Sequence, residues 1–332
     1  MNFKDSLLWP LTLPYGAASR LRTRAYRKNF LKARHLSGRV ISVGNITTGG
    51  TGKTPMVIWI AKRLAAEDKL VGILTRGYRG EAAGSQSTSD EVQLMTARLG
   101  DRVAFAVGAN RFARGQELTE QGVNWFVLDD GFQHLQLTRD LDIVMIDATN
   151  PFGGSHLLPA GRLREPRTAL ARADIIVLTR SSHSPAVEVI VRRETNAPIF
   201  YANTNLDCIY SLKNPQISAE NLRVQKLFAF CGIGNPSAFV ADLRSWGFHI
   251  AGHRFFPDHH RFTPREMCDI EEASRAAGTT ALICTEKDKF NLPPVSLAMN
   301  ICVCAISLRI DRDDDFWRTM MSIIDSRPAT KL

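Results

Sequence analysis

The stretch from Val43 to Pro55 reads VGNITTGGTGKTP, and its residue types suit the binding of phosphate. Gly49, Gly50 and Gly52 let backbone N–H groups turn inward around phosphate oxygens, with Thr47, Thr48 and Thr51 completing the loop. Lys53 can reach the β and γ phosphates, Thr54 can ligate magnesium, and the N-terminus of the helix that follows adds partial positive charge. The full GxxxxGKT pattern needs a glycine where this chain has Thr47, so GGTGKT carries the signal. The expected ligand is a nucleoside triphosphate.

Further residues could act on such a ligand. Asp129 and Asp130 follow the apolar run WFVL, and acids at the end of a strand beside a phosphate loop hold magnesium or its waters. Gln133 and His134 add an amide and an imidazole at the same mouth. Asp90 and Glu91 precede a helical pattern; alone they read as an ordinary helix start, but a hydroxyl that accepts a phosphoryl group benefits from a carboxylate that takes its proton. FFPDHHRFT supplies Asp258, His259, His260 and Arg261, where adjacent histidines do not share a helix face and so make a poor zinc site. Surface or capping histidines are the simpler reading there, and Thr285, Glu286, Lys287 and Asp288 read as a turn after a strand.

The elements that position these residues alternate along the chain. After the loop come a helix over 55–67, a strand over 70–75, a Gly- and Ser-rich loop over 77–89 and a helix from about Glu91. A strand over 102–107, a helix over 111–121 and strands over 125–129, 142–147 and 174–179 follow. Continuous apolar strands between helices predict an α/β fold, a P-loop NTPase-type parallel sheet with helices on both faces. Ligands gather at the carboxyl ends of such strands, and the long Gly- and Pro-rich loop over 148–166 lies at one of them. A smaller C-terminal α/β domain is expected from strands over 226–231, 248–255, 280–285 and 300–307, helices over 236–246 and 264–277, and a terminal helix. The expected divisions are 1–39, an N-terminal segment; 40–205, a core domain; 206–225, a connection; and 226–332, the smaller domain.

At 332 residues, 44% hydrophobic and 23% charged, the chain is an ordinary globular protein of about two domains. A net charge of +9 implies an anionic partner. Much of it sits in residues 1–39, where Leu7, Leu8, Trp9, Leu11, Leu13 and Tyr15 run into Arg20, Arg22, Arg24, Arg27, Lys28, Lys32, Arg34 and Arg39. This basic amphipathic segment suits the headgroup boundary of an anionic bilayer, with a solvated basic helix packed on its own domain as the alternative. A nucleic-acid arm leaves the apolar part without a role, so no nucleic-acid partner is expected. No spanning helix and no signal peptide are expected, since apolar runs are short and Pro10 and Pro14 break the first of them. The six cysteines form no CxxC pair and read as reduced core residues.

In order, VGNITTGGTGKTP, LTRGY (Leu74 to Tyr78), SDE (Ser89 to Glu91), LDDGFQH (Leu128 to His134), LLPAGRLREP (Leu157 to Pro166), FCGIGNP (Phe230 to Pro236), FPDHH (Phe256 to His260) and TEKD make the chain resemble the tetraacyldisaccharide 4′-kinase family of lipid A biosynthesis along nearly its whole length. The resemblance implies transfer of the ATP γ-phosphoryl group to the 4′-hydroxyl of tetraacyldisaccharide 1-phosphate, giving lipid IVA. It implies ATP and Mg2+ as cofactors, an acylated disaccharide phospholipid as substrate, and a place on the cytoplasmic face of the bacterial inner membrane. It further implies Asp90 as base, assisted by His259 from the other domain once the two domains close, with His260 as the alternative histidine. Lys53 and the loop then hold the phosphates, while Thr54, Asp129 and Asp130, with Glu91 beside them, position the metal. Arg164 with Arg111, Gln133, His134 and Tyr78 contacts the sugar or its phosphate, and Arg162 is the alternative to Arg164. A competing reading, a P-loop ATPase or GTPase switch protein, shares GGTGKT; TEKD loosely resembles a guanine-reading motif, although Thr48 stands where related switches carry a lysine.

Overall fold

The computed structural model describes residues 3–77, 89–213 and 217–327. The chain divides into two compact units: Met1–Ser85, Met95–Asn203 and Leu308–Leu332 form the first, and Gln86–Leu94 with Thr204–Ser307 the second.

In the first unit the apolar runs pair as a parallel sheet. The strands are β1 (Arg39–Gly44), β2 (Val71–Thr75), β3 (Val103–Val107), β4 (Trp125–Asp129), β5 (Leu141–Asp147), β6 (Ile175–Thr179) and the start of β7 (Ile199–Ser211), in the order β3-β2-β4-β1-β5-β6-β7. All seven residues of β5 are buried, as expected for a strand covered on both faces. β1 is flanked by β4 and β5, with Val43 opposite Asp129 and Gly44 opposite Val144. This register sets the acidic end of β4 beside the point where β1 gives way to the phosphate loop. Flanking helices include α1 (Phe3–Arg27), α2 (Lys53–Ala66), α4 (Arg111–Glu120) and α5 (Pro185–Arg192), with α3 (Asp90–Leu99) counted partly in each unit.

The second unit has its own parallel strands, β11 (Asn300–Ile310), β10 (Ala281–Thr285), β8 (Lys226–Cys231) and β9 (His249–Phe255), adjacent in that order. Its helices are α6 (Ala219–Arg223), α7 (Pro236–Ser245), α8 (Pro264–Ala276) and the short α9 (Glu286–Lys289). Alternation along the strands sends Leu227, Ala229, Cys231, Ile283, Cys302 and Cys304 into one apolar cluster and Phe228, Phe230, Leu282, Cys284 and Val303 into another. None of the six cysteines is in a disulfide; four are buried as expected, whereas Cys208 and Cys268 are exposed and so are not core residues.

Several boundaries differ from those read in the sequence. α1 runs through Pro10 and Pro14. The end of the basic segment belongs to the core, because Arg34 bridges to Leu137 and Leu36 is buried against Val40 and Leu74. β7 continues to Ser211, so residues 206–211, the first part of the expected connection, are strand. The terminal helix α10 (Asp313–Ser326) belongs to the first unit rather than the second. Its Phe316 meets Trp59 of α2 and Phe200 of β7 edge-on at 5.5 and 5.2 Å, and Trp317 Nε1 donates to Glu67 Oε1 at 2.9 Å. Sequence order cannot tell which core an amphipathic terminal helix will cover; the aromatic surface on α2 decides it.

Candidate active site

Between β1 and α2 the chain turns through Gly49 at φ 115° and Gly52 at φ 85°, conformations that side chains strongly disfavour. Gly52 is the N-cap of α2; no side chain caps the first turn, and no acid lies in it. The start of a 14-residue helix left in this way is suited to bind an anion. The loop is pinned from several sides. Asn45 Nδ2 donates to Thr51 Oγ1 at 3.0 Å, and Thr179 Oγ1 donates to the Thr51 carbonyl at 3.2 Å. The 148–166 loop pairs with it as a short ladder: Thr48 N donates to Arg162 O at 2.7 Å and Arg164 N to Ile46 O at 2.8 Å. Arg162 also donates its Nε to Thr48 O at 3.2 Å, so its side chain braces the loop and Arg164 is the one that reaches the acids.

At the end of β4, Asp130 stands at φ 49°, a left-handed conformation that costs a non-glycine residue free energy. Its Oδ1 lies 3.4 Å from Lys53 Nζ and its Oδ2 2.6 Å from Arg164 Nη1. Burial pushes this carboxyl's pKa up, but the charges of Lys53, Arg164 and Arg111 overcome that and hold it at about 2. Asp129 is buried and accepts from Thr75 Oγ1 at 3.1 Å, while the buried Arg111 donates to its carbonyl at 3.2 Å. Thr54 is also buried, in the first turn of α2.

Gln133 donates to Asn45 O at 2.8 Å and to Glu165 Oε1 at 3.0 Å, and Arg172 grips both oxygens of Glu165 at 2.7 and 2.9 Å while lying 4.3 Å over the Phe132 ring. Burial, followed by the charges of Arg111, Arg139 and Arg22, drives the His134 imidazole down to about 4, so it is neutral at pH 7. The first unit thus brings together Lys53, Asp130, Arg164 and Gln133, with Arg111 against Asp129. Tyr78 lies outside the described residues. Asn45, Glu165, Arg172 and Thr179 escaped the sequence reading, although Asn45 and Glu165 sit inside motifs it had singled out.

The second unit holds the other pair. Asp90, at the start of α3, is buried, and His259 Nδ1 lies 2.9 Å from its Oδ1 and 3.0 Å from its Oδ2. A carboxylate only accepts, so Nδ1 carries the proton in this contact. Burial raises the Asp90 pKa, but the His259 hydrogen bond, Lys287 and Asn291 outweigh it and leave the group below its ordinary value, ionised at neutral pH. The same hydrogen bond, against burial, raises His259. His259 has φ 59°, held by its own N–H donating to Gly232 O at 3.0 Å. His260 turns elsewhere: it stacks on Phe256 at 4.7 Å and meets both oxygens of Glu266 at 3.1 Å. Of the two histidines, His259 is therefore the partner of Asp90. The pair lies within one unit, because Gln86–Leu94 is counted there.

Glu91 receives Lys287 Nζ at 2.7 Å. The stretch expected to be a bare turn is a capped helical turn, α9, in which Thr285 Oγ1 and Asp288 close a capping box. Among the described residues no cluster of three or more His, Cys, Asp or Glu is placed to hold a metal ion. An anion-binding helix start with its lysine, and an ionised carboxylate oriented by an imidazole, are the parts needed to hold a phosphate chain and to take a proton from a hydroxyl.

The sequence profile described as tetraacyldisaccharide-1-P 4′-kinase matches residues 4–325. A tetraacyldisaccharide 4′-kinase from Anaeromyxobacter sp. (strain Fw109-5) is 37% identical over 333 residues, covering 93% of this chain and 89% of that one. One from Geobacter metallireducens is 37% identical over 318 residues, covering 91% and 92%. Among solved structures, LpxK from Aquifex aeolicus in complex with ATP aligns with a TM-score of 0.72 at 29% identity, covering 97% of this chain and all of that one.

Proposed function

The chain belongs to the tetraacyldisaccharide 4′-kinase family, and from that premise we propose that it transfers the γ-phosphoryl group of ATP to the 4′-hydroxyl of tetraacyldisaccharide 1-phosphate, forming lipid IVA in lipid A biosynthesis. The observation that carries the reading is that one chain holds both an uncapped, lysine-bearing phosphate loop and the ionised Asp90 oriented by His259.

In this reading the loop amides of Thr47 and of Gly49 to Gly52 and the Lys53 ammonium bind the β and γ phosphates, the Thr48 amide being given to Arg162 O, and Asp130 with Arg164 fixes where the ammonium stands. The oxygen donors Thr54 and Asp129, with Asp130 beside them in the first unit, would suit a hard cation such as Mg2+, whereas Glu91 is counted in the second unit and is paired with Lys287. Asp130 is already paired with two cations, Lys53 and Arg164, so Thr54 and Asp129 would be the residues that hold such a metal. When bound, the metal neutralises charge on the phosphates during transfer. Asp90 accepts the proton of the attacking sugar hydroxyl, and the His259 Nδ1–H keeps its carboxylate in place. Arg111, Gln133, His134 and Arg164 form the polar surface for the sugar or its phosphate, with His134 acting as a neutral imidazole.

The membrane reading of the N-terminal segment rests on α1. The side that packs on the protein carries Thr12 and Gly16, Tyr15 donates to Arg164 O at 3.0 Å, and Arg22 donates to Gln133 O at 3.1 Å. Trp9, Leu11, Leu13 and Leu21 are 48 to 70% exposed instead, beside the exposed Arg20, Arg24 and Arg27. A helix that buries small residues and exposes its large apolar and basic ones is suited to an anionic lipid surface, here the cytoplasmic face of the inner membrane. No helix among the described residues is long and apolar enough to cross a membrane.

The switch reading is not favoured: the Asp288 carboxylate, which a guanine reader would need free, accepts from Gly232 N at 2.7 Å and from Thr285. The test is phosphoryl transfer in detergent micelles with magnesium ATP and tetraacyldisaccharide 1-phosphate, read by mass. One added phosphate, lost with Lys53→Ala, is expected; nucleotide hydrolysis without a phosphorylated lipid overturns the reading.

A further inference from the structure

Asp90 is a carboxylate whose orientation matters, and the imidazole alone does not set it. His259 Nδ1 is nearly equidistant from the two oxygens, at 2.9 and 3.0 Å, so its contact is almost symmetric about the Cβ–Cγ bond. The terminal torsion of an aspartate is broad and roughly two-fold, leaving such a group free to rock. Two further donors remove that freedom. The backbone N–H of Glu91 holds Oδ1 at 2.9 Å, and Asn291 Nδ2 holds Oδ2 at 3.2 Å.

Asn291 is itself placed by its own backbone. Its N–H donates to Asp288 O at 2.8 Å, closing the turn after α9, and its carbonyl accepts Phe262 N at 3.0 Å. Asp288 is buried; its carboxylate receives Gly232 N, and Gly232 O receives the His259 amide. The same short segment thus reaches both members of the pair, His259 through Gly232 and Asp90 through Asn291. Only the amide N–H2 of Asn291 can face a carboxylate, since the alternative sets two acceptors against each other.

We propose that Asn291 is a positioning residue for phosphoryl transfer, whose amide fixes the Asp90 carboxylate so that one acceptor position stays directed to the sugar hydroxyl. An ionised carboxylate offers about four lone-pair sites. His259, Glu91 and Asn291 bring three N–H donors to about four such sites, the single His259 proton being shared between the two oxygens, so the carboxylate keeps the capacity to accept one more proton, that of the hydroxyl. Without the amide the carboxylate rotates, and the base is correctly aimed for only part of the time.

This inference rests on Asp90 being the base, and the experiment separates the two claims. In the intact protein in micelles, kcat and KM for ATP and for the lipid are measured for Asn291→Ala, Asn291→Asp, Asp90→Asn and the Asn291→Ala/Asp90→Asn double variant. Asn291→Ala is expected to lower kcat about 10-fold with KM for ATP unchanged, the scale of one lost neutral-to-charged hydrogen bond. Asn291→Asp keeps the volume but faces Asp90 with a second acceptor, and a larger kcat loss at unchanged KM for ATP is expected. In the Asp90→Asn background, Asn291→Ala is expected to cost nothing more. If Asp90→Asn abolishes turnover while both Asn291 variants keep wild-type kcat, or if Asn291→Ala costs the same with and without the aspartate, the positioning role is wrong and the base stands. Wild-type kcat for Asp90→Asn overturns both.

Discussion

Lys53 and Arg164 divide the two oxygens of Asp130 between them, at 3.4 and 2.6 Å, so the phosphate-loop lysine and the arginine of the 148–166 loop are tied to one carboxylate. Asp130→Asn removes the charge that both cations share. A loss of about 10- to 100-fold in kcat/KM for ATP is expected, from charge-assisted bonds of about 1.5–3 kcal/mol. Steady-state kinetics across ATP concentrations check it; unchanged kcat/KM means Lys53 is held well enough without this anchor.

The Asp130 pair also has an acid signature. The folded carboxyl titrates at about 2, below the ordinary aspartate value of about 3.9. The depressed group contributes stability that is complete above about pH 4 and is lost as pH falls through about 2. Comparing wild type with Asp130→Asn by denaturant unfolding should show their difference shrinking over that window.

His134 behaves as a depressed base. Its imidazole titrates at about 4 in the folded chain against about 6.5 when unfolded, so the unfolded chain binds more protons between those values. Its contribution to stability is complete above about pH 6.5 and is lost as pH falls through about 4. An NMR titration of labelled histidine checks this directly: a midpoint near 6.5 for His134 would remove the neutral-imidazole role.

Asp90→Asn and His259→Ala should both lower kcat with little change in ATP affinity, the first by about 10²- to 10⁴-fold as for a lost general base. The histidine variant should cost less, because Glu91 N–H and Asn291 still hold the carboxylate. Isothermal titration with a non-hydrolysable ATP analogue tests the affinity half of the claim. A histidine variant as damaging as the aspartate one would assign His259 a direct part in proton transfer.

Replacing Arg20, Arg24 and Arg27 of α1 by glutamate should weaken attachment to vesicles containing anionic phospholipid, since each basic residue near such a surface contributes about 1 kcal/mol. Co-sedimentation at two salt concentrations measures it. Equal attachment by wild type and variant would leave the exposed basic face without a lipid role.

The sequence by itself determined the parallel α/β pattern, the phosphate loop and the family. These are local: glycines with Lys53 and Thr54 between a β-branched strand and an amphipathic run leave few alternatives, and continuous apolar strands demand burial on both faces. It also named Asp90 and His259, but only through resemblance, since an acid at a helix start and a pair of histidines are bland residues in isolation. Tertiary structure chose His259 over His260, because Phe256 and Glu266 draw one ring away while Gly232 holds the other's backbone. It likewise sent Arg164 to Asp130 and Arg162 to the loop backbone, and it returned α10 to the first unit through Trp59 and Phe200. Asn291 was invisible in sequence because its role depends on a partner 201 positions away. Local sequence encodes backbone preference and burial; which side chain reaches which carboxylate is fixed only when distant segments pack.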